Sequence, residues 1–269
     1  MSWAPVNPYV DHVPQGCTAI ADWRSGWKFY ASDTEVLEIR GSWHKLRHGD
    51  NWQDFTHAEY VEVLDEFCET FRLFDGALHF LNLELGVNVA PPVPTAELLP
   101  RVLFHRTTRP IQMDEPAVGL VVARKGHYRI KMYDKALQYD LPIELLRCEV
   151  HVDRMERLRS RGISTALDLR DPKAWERASQ FLMAKVDELF FVDTDVPPQV
   201  VTRQQAQLLA KAGDFAFWMG LSPKKRSDKR RKVERLFARH SLPCLKGELL
   251  EAMDRKLIDL RTVGARGDI

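Results

Sequence analysis

Hydrophobic and polar residues alternate in several short segments of the first two thirds of the chain, and this pattern predicts β-strands. The clearest segment is FLNLELGVNV at residues 80–89, in which leucine or valine occupies every second position from Leu81 to Val89. Because successive side chains of a strand point to opposite faces, the intervening positions form a separate polar face. The same pattern predicts strands at about residues 34–45, 117–123, 127–135 and 145–152.

Apolar residues recur at helical spacing after Thr56, and Thr56 with Glu59 forms a capping box. Further helices are predicted at about residues 95–104, 153–160, 172–191, 202–219, 224–239 and 246–260. Strands with intervening helices, followed by a helical run, predict an α+β fold with an antiparallel sheet flanked by helices. The segment DTDVPPQV at 193–200 has no periodicity and contains two adjacent prolines. We therefore predict two domains, residues 1–195 and a smaller helical region at 196–269.

Three of the predicted strands carry ionisable residues on their polar faces. If these strands are neighbours, one surface holds two carboxylates, a tyrosine hydroxyl and several cations. The alternative is the ordinary solvated face of an antiparallel sheet. The residues on this face are Glu84 on the first strand, Arg129, Lys131, Tyr133 and Lys135 on the second, and Arg147, Glu149 and His151 on the third.

The two glutamates, Glu84 and Glu149, are candidate metal ligands. Two carboxylates brought together repel each other, and a divalent cation relieves that repulsion. Ligation by oxygen atoms favours Mg²⁺ or Mn²⁺. A third ligand could come from His44, His79 or His127, and we take His44 as the candidate, although a lone histidine is more often a packed or surface residue.

Tyr133 is the candidate nucleophile on the same face. A phenol that attacks phosphorus must lose a proton with an ordinary pKa near 10. Nearby cations such as Lys131 and Lys135 are expected to lower the pKa of Tyr133. Tyr139 would share the face if the strand continued, but Asp140, Leu141 and Pro142 predict a turn.

Charge is distributed unevenly along the chain. The net charge is +1, yet residues 224–239 contain nine Lys or Arg and two acidic residues. This segment also has apolar residues at helical spacing, and a short turn at Gly220 separates it from a preceding helix. It can be a helix-turn-helix variant that holds duplex DNA, or an ordinary solvated basic helix. The candidate DNA contacts are Lys224, Lys225, Arg226, Lys229, Arg230, Arg231 and Lys232, with Arg147 on the sheet.

Four segments, taken in order, resemble the gene II replication proteins of filamentous phages and the wider group of phage and plasmid rolling-circle initiators. The resemblance spans about residues 35–170. One difference is that better-known relatives bind metal through a His-hydrophobic-His pair, which this sequence lacks. The segments are EIRGSWHKLRHGDNWQDFTHAEYVEVLDEF, NLELGVNV, RIKMYDKALQY and LLRCEVHVDRMERLRSRGISTALDL.

The resemblance implies an HUH-like fold and a nicking enzyme. Such an enzyme cuts origin DNA, keeps a 5′-phosphotyrosyl link and frees a 3′-hydroxyl primer, then rejoins the strands. Tyr133 lies at the nucleophile position, and Glu84 and Glu149 lie at acidic positions that resemble metal ligands. The implied partners are single-stranded nick-site DNA, duplex origin DNA and host replication proteins.

Hydropathy and cysteine spacing predict the cellular setting. No apolar run approaches the roughly 20 residues that span a bilayer, so a soluble, cytoplasmic protein is expected. The four cysteines are far apart and form no C-x-x-C pair, which argues against a structural zinc site and a disulfide framework. The alternative function is a DNA-binding regulator of the same phage or plasmid that lacks enzymatic activity.

Overall fold

The structure, a computed structural model, divides into two units, Met1–Asp75 with Val263–Ile269 and Gly76–Thr262. Each unit is described by itself. The residues that the structure describes are 3–5, 14–105, 113–115, 119–192, 196, 198–240 and 244–263.

The first unit contains an antiparallel sheet and two helices. The strands are β1 (Trp3–Pro5), β2 (Ala19–Trp23), β3 (Trp27–Ala31) and β4 (Val36–Arg40), and they pair in that order. The helices are α1 (Trp43–His48) and α2 (His57–Phe71). The predicted capping box at the start of α2 is confirmed, because Thr56 Oγ1 accepts from Glu59 N and Glu59 accepts from Thr56 N.

The strand predicted at 34–45 is wrong in its second half. It ends at Arg40, and α1 begins two residues after Gly41. A Cβ atom on Gly41 would lie 2.1 Å from the Trp27 ring, so only glycine fits where the chain passes this indole. Ser42 then caps the new helix by accepting from the Lys45 amide at 3.3 Å. His44 is therefore a helical residue.

The second unit is built on an antiparallel sheet with the strand order β5-β10-β9-β8-β7. A separate two-stranded ribbon pairs β6 with β11. These elements confirm an α+β fold with antiparallel sheets. The strands are β5 (Leu83–Val89), β6 (Val102–His105), β7 (Met113–Glu115), β8 (Leu120–Lys125), β9 (Tyr128–Asp134), β10 (Leu146–Val152) and β11 (Leu189–Phe191).

The helices of this unit come between and after the strands. Helix α6 contacts β5 and β10, and α10 contacts α6 and β5, so these two helices pack against the β5–β10 part of the sheet. Among the described residues, no helix combines the length and apolar character needed to cross a bilayer. The helices are α3 (Thr95–Leu98), α4 (Lys135–Tyr139), α5 (Glu156–Arg159), α6 (Pro172–Asp187), α7 (Arg203–Ala212), α8 (Phe215–Met219), α9 (Pro223–His240) and α10 (Leu245–Thr262).

Three predicted helices are wrong in extent because tertiary pairing or a cap ends them. The helix predicted at 95–104 gives way to β6, and the helix predicted at 172–191 gives way to β11, because these two segments pair with each other. The helix predicted at 202–219 is divided into α7 and α8, since the Asp214 side chain caps the second helix at the Ala216 amide.

The C-terminal helices share a core with the β6–β11 ribbon. The Trp218 side chain is fully buried, with its ring centroid 5.0 Å from that of Phe104 and 5.4 Å from that of Phe190. Val233 and Phe237 of α9 belong to the same core. The domain boundary predicted at 193–200 therefore falls inside the second unit, because apolar residues on both sides of it pack together.

Candidate active site

The three polar strand faces lie side by side, with β10 in the centre. Glu149 on β10 is opposite Gly86 on β5 and opposite Lys131 on β9. Two residues before Glu149 on β10, Arg147 is opposite Tyr133. The three strands are therefore neighbours, and their polar positions lie on one face.

Glu149 is the buried centre of this face, with only 2% of the residue exposed. Its Oε1 atom accepts from the Tyr133 hydroxyl at 3.0 Å and from Arg147 Nε at 2.7 Å. Its Oε2 atom accepts from Lys131 Nζ at 3.0 Å. Both carboxylate oxygens are thus bound to side-chain donors, so this buried polar group has hydrogen-bond partners.

Lys131 connects the two glutamates. Its ammonium donates to Glu84 Oε2 at 2.5 Å as well as to Glu149. Burial raises the pKa of Glu84, but hydrogen bonds with His151 and Lys131 and the positive charges of Lys131 and Arg147 outweigh this effect and lower the pKa to about 2. Burial lowers the pKa of Lys131, and the two carboxylates outweigh it, so the net shift is upward.

The Arg147 side chain extends over Gly86 of β5, which has no side chain to block it. A Cβ atom on Gly86 would lie 2.7 Å from Arg147 Nη2 and 2.9 Å from Cζ. The guanidinium also donates to Asn88 Oδ1 at 3.1 Å. Arg147 is buried and bound to Glu149 and Asn88, so the side chain predicted to contact DNA holds the site together in this structure.

Gly86 and Asn88 were not assigned to the site from the sequence. A signal for Gly86 was present, because a glycine in the middle of a strand often marks the close approach of another group. No pattern in the sequence indicated that this group would be an arginine from the neighbouring strand.

Tyr133 is 9% exposed and donates its hydroxyl hydrogen to Glu149. The expectation that nearby cations lower the pKa of Tyr133 is wrong. Burial and the negative charge of Glu149 raise it, and the opposing effect of Arg147 is smaller. The phenol is therefore protonated in this arrangement, and its attack would require proton transfer as the new bond forms.

Lys135 begins α4, and its side chain is almost completely buried. The ammonium donates to the Tyr133 hydroxyl at 3.4 Å and to Gln138 Oε1 at 2.7 Å. It lies 5.2 Å from the Tyr133 ring centroid and 4.8 Å from that of Tyr139. Tyr139 is the last residue of α4. The next residue, Asp140, has a φ of +52° and ends the helix, so the predicted turn is confirmed.

The three candidate histidines lie in different settings. His44 on α1 of the first unit stacks on Phe55, with ring centroids 5.1 Å apart. His79 forms an isolated β-bridge with Thr165, and His127 lies in the turn between β8 and β9. Over the residues that the structure describes, no group of three or more His, Cys, Asp or Glu is arranged to hold a metal.

The side chains between Glu84 and Glu149 do not fit a divalent cation as they are arranged. The two carboxylates share one cation, but that cation is the Lys131 ammonium. Oxygen ligands with free lone pairs are required for Mg²⁺ or Mn²⁺. Both oxygens of Glu149 already accept from protein donors, so a metal bound to this carboxylate would lie against the positive charge of Lys131.

Helix α9 presents only part of its basic sequence to the surface. Arg226 is buried and donates to the carbonyl oxygens of Trp218 at 3.2 Å and Leu221 at 3.1 Å, so it stabilises the turn after α8. Arg230 is half-buried and pairs with Glu234 at 2.8 Å.

The other cations of α9 are more accessible. Arg231 is exposed but pairs with Asp228 at 2.6 Å, and Lys229 is half-buried with its ammonium 5.6 Å from the Phe217 ring centroid. Within the described ranges, Lys224, Lys225, Lys232 and Arg239 are exposed and have no ion-pair partner. These four side chains form the exposed basic face of α9. The predicted apolar face is confirmed, because Val233, Leu236 and Phe237 are buried.

No protein-family model matches the chain, and no curated protein or solved structure matches it at a significant level. A functional proposal therefore depends on the contacts within the site.

Proposed function

We propose that this chain nicks and rejoins single-stranded DNA, with Tyr133 as the nucleophile, as a rolling-circle replication initiator of a phage or plasmid. The observation that carries the proposal is the hydrogen bond from the Tyr133 hydroxyl to Glu149, with the Lys135 ammonium 3.4 Å from the phenolic oxygen. The nucleophile lies within hydrogen-bonding distance of a base and of a cation, as general-base activation requires.

The chemistry follows from these contacts. As the phenolic oxygen attacks phosphorus, Glu149 takes its proton, and Lys135 stabilises the negative charge that develops on the oxygen. The bond from phosphorus to the 3′ oxygen breaks, and that oxygen takes up a proton from water to become the 3′-hydroxyl primer. The 5′ phosphate stays on Tyr133 until a 3′-hydroxyl attacks it and releases the phenol, which rejoins the strand.

The exposed basic face of α9 is the proposed contact with duplex origin DNA. Lysine and arginine side chains bind phosphates without reading the sequence, so this face would supply affinity rather than choice of site. The proposed setting is the cytoplasm, with host replication proteins as further partners. A requirement for Mg²⁺ or Mn²⁺ and the HUH-like core stay predictions of the resemblance, and no step above depends on the metal.

A second candidate is a DNA-binding regulator of the same element that lacks enzymatic activity. It is favoured by the raised pKa of Tyr133 and by the ion pairs and hydrogen bonds that both Glu149 oxygens already make. In such a regulator, the polar face of β5, β10 and β9 would stabilise the sheet and would have no catalytic role.

The test uses a supercoiled plasmid that carries the DNA flanking the coding sequence. The protein is incubated with it in Mg²⁺, in Mn²⁺ or in EDTA, and a denaturing gel detects protein covalently attached to DNA. We expect an adduct with the wild type and with Tyr139→Phe, and none with Tyr133→Phe. An adduct that survives Tyr133→Phe and disappears with Tyr139→Phe would mean that Tyr139 is the nucleophile and that the assignment of Tyr133 is wrong. Binding without any adduct would favour the regulator.

A further inference from the structure

We propose that Lys131 is the resident cation of the Glu84–Glu149 pair and takes the place that the resemblance gives to a divalent metal. This assignment concerns ion binding and can be tested whether or not the chain cuts DNA. Its consequence for catalysis rests on the proposed function: the positive charge beside the scissile phosphate then comes from an ammonium, and nicking does not require added metal.

Strand register places Lys131 in this position. Lys131 on β9 is directly opposite Glu149 on β10. Directly opposed residues of antiparallel strands have Cβ atoms about 4.5–5.5 Å apart, so the ammonium reaches the carboxylate without an unusual backbone. On the other side of Glu149 is Gly86, which leaves room for Arg147 to approach the same carboxylate.

The donors around Glu149 leave little for a metal to bind. Oε1 accepts from both Tyr133 and Arg147, and Oε2 accepts from Lys131. A metal at Oε2 would have to share that oxygen with the ammonium, whose positive charge repels it, and a metal at Oε1 would have to compete with a buried guanidinium. Breaking a buried ion pair on one side leaves an uncompensated charge, which is strongly unfavourable.

Charge balance leads to the same conclusion. The two carboxylates of Glu84 and Glu149 carry two negative charges, and Lys131 and Arg147 carry two positive charges. A divalent cation added to this set would bring two further positive charges next to a buried guanidinium. Removal of the Lys131 charge would instead leave two carboxylates facing each other, which is the arrangement that binds Mg²⁺ or Mn²⁺.

The first experiment measures Mn²⁺ binding to the full chain by isothermal titration calorimetry. We expect that the wild type has no Mn²⁺ site that depends on Glu149, so Glu149→Gln should not change Mn²⁺ binding. Lys131→Met should create one, on the order of 100-fold tighter than any binding to the wild type, because two like charges then lie a few ångström apart. The double variant with Glu149→Gln should lose this site. Lys125→Met on β8 is the matched control and should behave as the wild type.

Wild-type binding of Mn²⁺ that Glu149→Gln abolishes would overturn the assignment. Circular dichroism checks that each variant is folded, and Lys131→Arg is a second variant that keeps the charge and should bind no Mn²⁺. If Lys131→Met does not fold, the wild-type titration and its Glu149→Gln control still decide the question.

The second experiment repeats the adduct assay in EDTA. We expect the wild type and Lys125→Met to form the adduct without metal, and Lys131→Met to form it only when Mn²⁺ is added. An adduct that the wild type forms only with metal would refute the catalytic consequence. If no condition gives an adduct, the proposed function fails, while the calorimetric result for Lys131 stands by itself.

Discussion

Glu149→Gln is the most informative single change, because it keeps the shape of the central side chain and removes its charge. The carboxylate accepts three hydrogen bonds, from Arg147, Lys131 and Tyr133, and is 2% exposed. An amide has only one oxygen to accept these bonds, and its NH₂ group would face the remaining donors. The substitution therefore breaks the network and leaves cations without their buried partner.

The expected loss of stability follows from the contacts that Lys131 and Arg147 retain in the variant. Lys131 still has Glu84 at 2.5 Å, and Arg147 still has Asn88 at 3.1 Å. Removing one partner of a buried ion pair costs about 3–5 kcal/mol, and the retained contacts favour the lower end. We expect the free energy of unfolding to fall by about 3 kcal/mol. For a unit of this size, that corresponds to a decrease in Tm of about 6–12 °C.

Urea unfolding followed by circular dichroism measures this change. The control is Glu97→Gln, which removes a carboxylate that is 59% exposed and lies 3.8 Å from Arg101. Pairs of that kind contribute about 0.2–1 kcal/mol, so the control should be close to the wild type. If Glu149→Gln is as stable as the wild type, the contacts of Glu149 do not stabilise the sheet and our account of the buried network is wrong. Loss of nicking in this variant counts as catalytic only at temperatures where it stays folded.

Three further predictions concern packing, DNA affinity and acid stability. Gly86→Ala should destabilise the chain by about 1–3 kcal/mol in urea unfolding, because its Cβ overlaps the Arg147 guanidinium. Gly126→Ala, where a Cβ meets nothing within 4 Å, is the control, and equal stability of the two variants would contradict the packing. Changing Lys224, Lys225 and Lys232 to Gln should lower the salt slope of duplex binding by up to about 3, at about 0.9 per lost phosphate contact, and leave cleavage of a single-stranded oligonucleotide unchanged. An unchanged slope would mean that α9 is only a solvated helix. Because the pKa of Glu84 is lowered to about 2 from an ordinary value of 4.5, its stabilising effect is present above pH 4.5 and is lost as pH falls towards 2. Glu84→Gln should therefore lose less stability than the wild type over that range in acid titration, and parallel curves would refute this.

The sequence by itself determined which residues share a face. Alternation has a period of two, so Glu84 was separated from its leucine and valine neighbours, and Tyr133 was grouped with Lys131, without any knowledge of the neighbouring strands. The start of α2 could also be predicted from nearby residues, because the capping box of Thr56 and Glu59 depends only on residues three positions apart. These features require no contact that is distant along the chain.

Tertiary structure decided how those faces combine. The register of β10 with its two neighbours places Lys131 between the glutamates and puts Arg147 over Gly86, and register depends on long-range pairing that periodicity does not encode. Burial reversed the expected direction of the Tyr133 pKa shift, because the loss of water around the phenol and the adjacent Glu149 outweigh the cations. Pairing of β6 with β11 likewise converted the ends of two predicted helices into strands and joined the C-terminal helices to the core of the second unit.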